Sequence, residues 1–453
     1  MHIVVIGGGP AGYPAALEAA RLGAQVTLVE KSKLGGVCLH CGCIPSKSFL
    51  FYAHQFQAAF QAAQLAGPAG IAGAQQLFDA RDLAQLQARQ QAATQKLTQG
   101  IEFLLKKAKV HVVAGSASFV DEHTLNVQTS AGNQTLTFDG AILATGSEAF
   151  YPPALEALRG KVYDNTNFFT MERLPKTIAV VGGGVIGCEM ADFLHAFGVH
   201  VHLIEMQPTL LPQEDPAAAR TLSQSFTKRG IVLHTGASVT AARAQAEGFV
   251  LTLDDGQQLE TEAVLVAIGR RVNLQGLGLE HLGITYTAKG VPVHPQTLQL
   301  KNHIYAAGDV TGLLPLAHAA SRQGEVAARN LCGVPALYHN ERVPRAIYTT
   351  PEIAAVGLSA AQLQAQGRTV KTHKSFFLAN GRAVAQGQTE GYVQWMSDAQ
   401  TSQLLGATIV GANAAELIHI PAVALAAGMT VAQVKEAVFA HPTLAETVAE
   451  ALA

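Results

Sequence analysis

Three of the five cysteines in this 453-residue chain fall within six positions, Cys38, Cys41 and Cys43 in the stretch "GGVCLHCGCIPSK". Thiols so close together support three chemistries: metal ligation, a structural staple, or a disulfide that opens and closes in turnover. Simple geometry leaves the pairing open. On an ideal helix, residues five apart have Cα atoms roughly 8.7 Å apart, beyond disulfide reach, whereas Cys38 and Cys41 would stand about 5 Å apart. A Cys38–Cys43 pair requires a distorted turn, for which Gly42 is suited. A metal site made of Cys38, His40, Cys41 and Cys43 would have to contort one short loop, and no second Cys/His cluster completes it. No bound metal is expected there.

Two glycine-rich turns frame what such thiols could exchange electrons with. "HIVVIGGGPAG" is a short apolar strand meeting Gly7-x-Gly9-x-x-Gly12, followed by a helix over Tyr13–Leu22 and a second strand "QVTLVE" ending at Glu30. "TIAVVGGGVIGCEMADFLHAFGVHVHLIE" repeats this design with Gly182, Gly184 and Gly187, and Glu205 follows Gly182 by the same 23 positions that separate Glu30 from Gly7. In such a turn the first glycine bends the chain, the second admits a pyrophosphate to the backbone, and the third lets helix pack on strand. The helix N-terminus then faces the phosphates, and the acid takes the ribose diol. The chain therefore reads as holding two dinucleotide folds. Glu205 selects NAD over NADP, because a carboxylate repels an extra phosphate and no arginine follows before Arg220. His200 and His202, on the strand before it, read as packed or solvated.

Between the two units, Phe49–Lys109 is rich in Ala, Gln and Leu and predicts two long helices, followed by short strands up to "AILATGS". "AVLVAIGR" is its counterpart after the second unit. Prolines 152, 153 and 175 and the stretch "HNERVP" mark linkers. At this length three or so domains with ample cores are expected. Charged residues make up only 14% of the chain and the net charge is -2, which disfavours nucleic acid and acidic membrane surfaces as partners. The apolar run Leu417–Val434 carries His419, Pro421 and Gly428 and predicts a buried helix and turn, not a membrane span. Nothing before the first strand resembles a secretory leader and the cysteines form no disulfide framework, so a cytoplasmic location is expected.

The cysteine segment resembles the active-site segment of the flavin-dependent pyridine nucleotide disulfide oxidoreductases, in which two cysteines separated by four residues form a redox-active disulfide. "GGGPAGY", "ATGS", "GGGVIGCEMA", "AIGRRVNLQGLGLE", "YAAGDVTG", "LAHAA", "YTTPEIAAVGLS", "GRAVAQGQTEGYV" and "HPTLAE" occur in family order over essentially the whole chain. Within the family the sequence is most similar to the dihydrolipoamide dehydrogenases. The resemblance implies an α/β flavoprotein of two Rossmann-like domains, for FAD and NAD, and an α+β C-terminal dimerisation domain. Its expected segments are 1–150 for FAD, 151–270 for NAD, 271–340 completing the FAD domain, and 341–453 for the interface.

The roles implied follow by position. Gly7, Gly9, Gly12, Glu30, Gly146, Gly308 and Asp309 would hold FAD; Gly182, Gly184, Gly187, Glu205 and Gly269 would hold NAD. Cys43 would face the flavin as a thiolate, and Cys38 would exchange with substrate. Lys47 would lie beside the flavin, paired with Glu189. His441 and Glu446 would form an acid–base dyad, with His441-Pro442 expected cis. The implied partners are a small dithiol or disulfide, a second subunit that shares each active site, and a 2-oxo acid dehydrogenase complex.

The chain departs from the family at several places. Cys41 replaces an apolar residue and reads as a small filler, as do Cys188 and Cys332; His40 replaces an asparagine. Ala319 stands where lipoamide enzymes carry lysine, and "SRQG" replaces an acidic pair. Glu205 argues against a glutathione reductase. No C-terminal cysteine pair is expected, and no appended lipoyl or metal-binding domain. The expected reaction is oxidation of dihydrolipoamide to lipoamide. The alternatives are an NADH-dependent reductase of another disulfide, a quinone or a metal ion, and a flavin-binding redox or metal sensor.

Overall fold

The computed structural model describes residues 1–453. The first nucleotide unit is a six-stranded sheet in the order Gln299–Lys301, Ile304–Ala306, Gly140–Leu143, His2–Ile6, Gln25–Glu30, His111–Ala114, parallel except at its Gln299–Lys301 edge. Residues 3 to 6 and 140 to 143 are apolar or glycine and wholly buried, as strands covered on both faces require. The segment after residue 290 thus returns to the sheet begun at residue 2. The second unit is a four-stranded parallel sheet, Val232–Thr235, His200–Glu205, Thr177–Val181, Ala263–Val266. Chain leaves the first unit through Ser147–Ala149 and comes back through Arg270–Val272. These two segments pair antiparallel, side by side.

The C-terminal segment is a five-stranded antiparallel sheet, Arg345–Ile347, Glu352–Gly357, Leu404–Gly411, Tyr392–Asp398, Val370–Phe376. Trp395 is fully buried there, its indole N–H donating to the Val448 carbonyl at 2.9 Å. The run predicted as a buried helix and turn forms short helices, including His419–Ala426 and Val431–Lys435.

The Ala- and Gln-rich stretch differs from expectation: it forms three helices, Cys43–Gln64, Gly67–Asp79 and Leu83–Lys107. Two local signals break it. Gly67 takes φ +65° ahead of Pro68, and the Asp82 carboxylate caps the last helix by accepting from Ala84 and Gln85 N–H. The first of these helices ties the units together. Its Phe49, fully buried, packs on Phe169 and Phe193 at centroid distances of 5.2 and 5.0 Å, each such burial being worth roughly 1.5–3 kcal/mol. Phe193 belongs to helix Val185–Ala196, so the helix that starts at Cys43 is fixed against the helix that starts at the second glycine turn.

Candidate active site

Each glycine turn has the geometry its spacing predicts. A Cβ on Gly7, at φ +105°, would lie 2.3 Å from the Ala144 carbonyl oxygen, and one on Gly12 only 1.7 Å from that of Gly7. In the second turn a Cβ on Gly182 would come within 2.4 Å of the Ala267 oxygen, and one on Gly187 within 1.8 Å of the Gly182 oxygen. The middle glycines differ. Around Gly184 nothing lies within 4 Å, and Gly9 has only the Gly36 Cα at 3.8 Å, so both turns keep room for a pyrophosphate. Glu30 accepts from Gly8 and Ser32 N–H at 2.6 and 2.7 Å, and Glu205 from Gly183 and Gln207 N–H, both at 2.7 Å. Each carboxylate oxygen retains a lone pair for a ribose hydroxyl. Both cradles therefore fit a dinucleotide.

Gly308 and Asp309 close the first cradle. Gly308 N–H donates to the buried Gln323 side chain at 2.8 Å, and Asp309 accepts a hydrogen bond from Ser147 Oγ. Arg270 Nε lies 2.7 Å from Ser147 Oγ and 3.8 Å from the Asp309 carboxylate, and its Nη1 donates to Asn165 at 3.0 Å. Gly146 and Gly269 directly precede Ser147 and Arg270, at φ +67° and +137°. Ser147, Asn165, Arg270 and Gln323 were not singled out from sequence. The signal for Arg270 was present, in its place next to Gly269.

The thiols start from the first cradle. Gly35 N–H donates to the Gly8 carbonyl at 2.9 Å, seating helix Gly36–Cys41 on the glycine turn. At Gly42 the helix breaks, with φ -140° and ψ -115°, and a new one runs from Cys43. A Cβ at Gly42 would stand 2.9 Å from the Val37 oxygen and 3.2 Å from the Cys38 Cα. This break brings Cys43 to Cys38. All five cysteines are free thiols, and the Cys38 and Cys43 side chains are close enough for each to alter the other's acidity. The neighbouring Cys38 thiol lowers Cys43 against the opposing effect of burial, with the Lys47 ammonium helping. The neighbouring Cys43, together with burial, pushes Cys38 up. The Lys47 charge favours the thiolate of the pair at Cys43.

Lys47, one turn after Cys43, donates to both oxygens of the buried Glu189 at 2.9 and 2.8 Å. Glu189 Oε1 also accepts from Tyr348 N–H at 3.1 Å, and Lys47 Nζ sits 4.4 Å from the centroid of the Tyr348 ring. One turn further on, Asp192 accepts from Thr350 N–H at 2.6 Å and from Arg229 Nη1 at 2.5 Å. Tyr348 and Asp192 were not singled out from sequence either. Their contacts arise only when three segments distant in sequence meet.

In the C-terminal segment His441 Nδ1 and Glu446 Oε1 lie 2.9 Å apart, after a cis His441-Pro442 bond. Thr443 N–H donates to the other Glu446 oxygen at 2.7 Å, and that bond, then the imidazole, holds the carboxyl below its ordinary range. The His441 side chain is 78% exposed, and the dyad makes no hydrogen bond to the thiols of its own chain.

His40 Nε2 bonds the Leu34 carbonyl at 2.8 Å, and no group of three or more His, Cys, Asp or Glu is placed to hold a metal ion. His202 packs against His234, Nδ1 to Nε2 at 3.0 Å, and burial lowers both.

Residues 1–324 match the family described as pyridine nucleotide-disulphide oxidoreductase, and residues 343–452 match the dimerisation domain of the same enzymes. The chain belongs to this family. It is 36% identical over 457 residues to a dihydrolipoyl dehydrogenase of Bacillus subtilis, covering 100% of this chain and 98% of the relative. A dihydrolipoyl dehydrogenase of Geobacillus stearothermophilus is 35% identical, over 99% of this chain and 94% of the relative. Among solved structures, LpdA from Mycobacterium tuberculosis superposes with a TM-score of 0.92 at 30% identity, covering 100% and 99% of the two chains. The Cu(II) complex of the HOCl-induced flavoprotein disulfide reductase RclA from Escherichia coli gives 0.86 at 25% identity, covering 99% and 98%. This oxidoreductase is accordingly an NAD-dependent flavoprotein enzyme with FAD and NAD as cofactors, a homodimer that acts on a small molecule. None of its helices is long and apolar enough to cross a membrane.

Proposed function

We propose that this oxidoreductase oxidises dihydrolipoamide to lipoamide, with NAD as final acceptor, through a Cys38–Cys43 disulfide. The observation that carries the reading is the helix break at Gly42, which sets Cys43 beside Cys38 at the start of the helix that carries the Glu189-paired Lys47. In the oxidised pair a substrate thiolate attacks Cys38 Sγ, and Cys43 leaves as a thiolate that the Lys47 charge stabilises. The substrate's second thiol gives its proton to His441, whose Nδ1 is engaged by Glu446, and attacks the substrate sulfur of the mixed disulfide. Lipoamide departs, Cys38 leaves as a thiolate that takes the proton back from His441, and the electron pair rests on the cysteines. Bound FAD supplies the two-electron carrier between this pair and the nicotinamide.

The exposed dyad, unattached to its own thiols, supports an active site made of Cys38 and Cys43 from one subunit and His441 and Glu446 from the other. We divide the chain at 150, 270 and 340, and the pairing of strands Ser147–Ala149 and Arg270–Val272 supports the first two boundaries. A place in a 2-oxo acid dehydrogenase complex, in the cytoplasm, rests on the substrate reading and is tested by co-sedimentation with the acyltransferase core. A second reading, reduction of another disulfide, a quinone or a metal ion by NADH, is favoured by Ala319 in place of lysine and by the likeness to RclA.

The deciding experiment is a steady-state screen of the holoenzyme with NAD or NADH against dihydrolipoamide, lipoamide, glutathione disulfide, coenzyme A disulfide, quinones, Cu(II) and mercuric ion. The highest kcat/KM is expected for the lipoamide couple. A quinone or a metal ion turning over faster would transfer the assignment to the second reading.

A further inference from the structure

We infer that Cys41 is a second intramolecular partner for Cys38, so that the oxidised enzyme exists as two disulfide isomers: a working Cys38–Cys43 form and a parked Cys38–Cys41 form. The inference rests on the proposed role of Cys38 and Cys43. Cys38 and Cys41 both lie in helix Gly36–Cys41, three positions apart. A regular turn sets their Cα atoms about 5 Å apart, inside the Cα range of disulfides, and their Cβ atoms about 5–6 Å apart, so the bond needs the turn to tighten until the Cβ atoms stand about 3.8 Å apart. The working pair meets across the Gly42 break; the alternative pair needs the last turn of the helix, beside that break, to give. Cys41 is the last residue of that helix, next to the break, and the only anchor reaching it from another segment is Asn165, whose Nδ2 lies 3.2 Å from the Cys41 carbonyl and 4.0 Å from its sulfur. Its thiol is free, and the residue is half-buried. Neither Cys188 nor Cys332 shares this helix.

The exchange needs no oxidant. Cys41 loses its proton to water, its sulfur attacks Cys38 Sγ, the Cys38–Cys41 bond forms as the Cys38–Cys43 bond breaks, and Cys43 leaves as a thiolate beside Lys47. One disulfide and one thiol are present before and after. In the parked form the sulfur that would exchange with substrate is blocked, and Cys43 has no disulfide to offer. Burial pushes the Cys41 thiol up; Arg270 opposes this, while Asp164 and Cys43 add to it. The exchange is therefore slow near neutrality and grows as the solution becomes alkaline. The return step, attack by Cys43 on Cys38, restores the working form.

The test holds oxidised holoenzyme at pH 7 and at pH 9 without substrate and blocks free thiols with N-ethylmaleimide. The protein is then reduced, labelled with iodoacetamide and cut with trypsin. Peptide Leu34–Lys47 holds all three clustered cysteines, and its fragment ions report each label. Maleimide is expected on Cys41 in most molecules and on Cys43 in a fraction that rises several-fold at the higher pH, with Cys38 always protected. Maleimide on Cys41 alone at both pH values overturns the inference and leaves the working pair in place. Maleimide on Cys38 overturns the working pair, and the inference with it. In turnover, enzyme stored at pH 9 should show a start-up lag that Cys41→Ser lacks at equal steady-state rate and flavin content. A lag undiminished in Cys41→Ser counts against the exchange.

Discussion

Lys47 and Glu189, 142 positions apart, form an ion pair through both carboxylate oxygens at 2.9 and 2.8 Å, and the acid is buried. The pair joins the cysteine-bearing helix to the helix of the second nucleotide cradle. It holds the ammonium where it acts on Cys43.

Lys47→Met should raise the Cys43 thiol from about 7, since the ammonium is one cause of its lowering. Alkylation of the reduced enzyme by iodoacetamide, followed against pH, should shift its midpoint upward by about one unit. Cys38→Ala removes the larger cause, the neighbouring thiol, and should shift it further. An unchanged midpoint in both variants would show that burial and the local backbone alone set this thiol.

Asp192→Ala should destabilise the fold where the second unit meets the C-terminal segment. The side chain is 1% exposed, and its loss leaves Arg229 and the Thr350 N–H without their carboxylate. Breaking a buried pair in this way costs on the order of 3–5 kcal/mol. Urea unfolding of the holoenzyme should show a correspondingly earlier transition, whereas Asp192→Asn, which keeps an acceptor for Thr350, should lose less.

Much of this architecture was legible in the sequence, for identifiable reasons. At Gly12 and Gly187 a side chain would collide with the carbonyl of the first glycine in its turn, so residue type there reports backbone geometry directly. Glu30 and Glu205 were found because strand and helix lengths fix their spacing. The thiol pair was not legible from geometry, because a regular helix favours Cys38 with Cys41; only the break at Gly42 reverses the preference, and only the family resemblance pointed to it. Lys47–Glu189 likewise came from resemblance. The Ser147–Asp309–Arg270 cluster escaped notice because it forms only where the two connecting strands pair. Gly67-Pro68 and Asp82 did carry ordinary helix-boundary signals, and an Ala-rich composition on both sides hid them.

Glu205 should set nucleotide choice. Its carboxylate is buried and held by Gly183 and Gln207 N–H, an arrangement that would accept from a ribose diol and repel a 2′-phosphate. Glu205→Ala should narrow the ratio of kcat/KM for NADH over NADPH by about tenfold or more, without altering the iodoacetamide profile of Cys43. A wild-type enzyme that prefers NADPH would contradict the assignment.

His441→Gln should lower turnover by about 10²- to 10⁴-fold, the usual contribution of a positioned acid–base group. A heterodimer of one His441→Gln subunit and one Cys43→Ser subunit contains one intact site if the dyad serves the partner. Purified heterodimers should regain about half the wild-type rate per dimer on the principle that each complete site works alone. Heterodimers as inactive as both parents, at full flavin content, would place the histidine in its own chain's site.

The most direct test of the account is dihydrolipoamide-dependent NAD reduction by purified, flavin-replete Cys38→Ser and Cys43→Ser, each beside wild type and Cys41→Ser. If the proposed Cys38–Cys43 disulfide passes the substrate's electron pair onward, both single variants should fall by about 10³-fold or more, the scale of losing a covalent catalytic group, while Cys41→Ser keeps its rate. Wild-type-like NADH formation by either Cys38→Ser or Cys43→Ser would contradict the account.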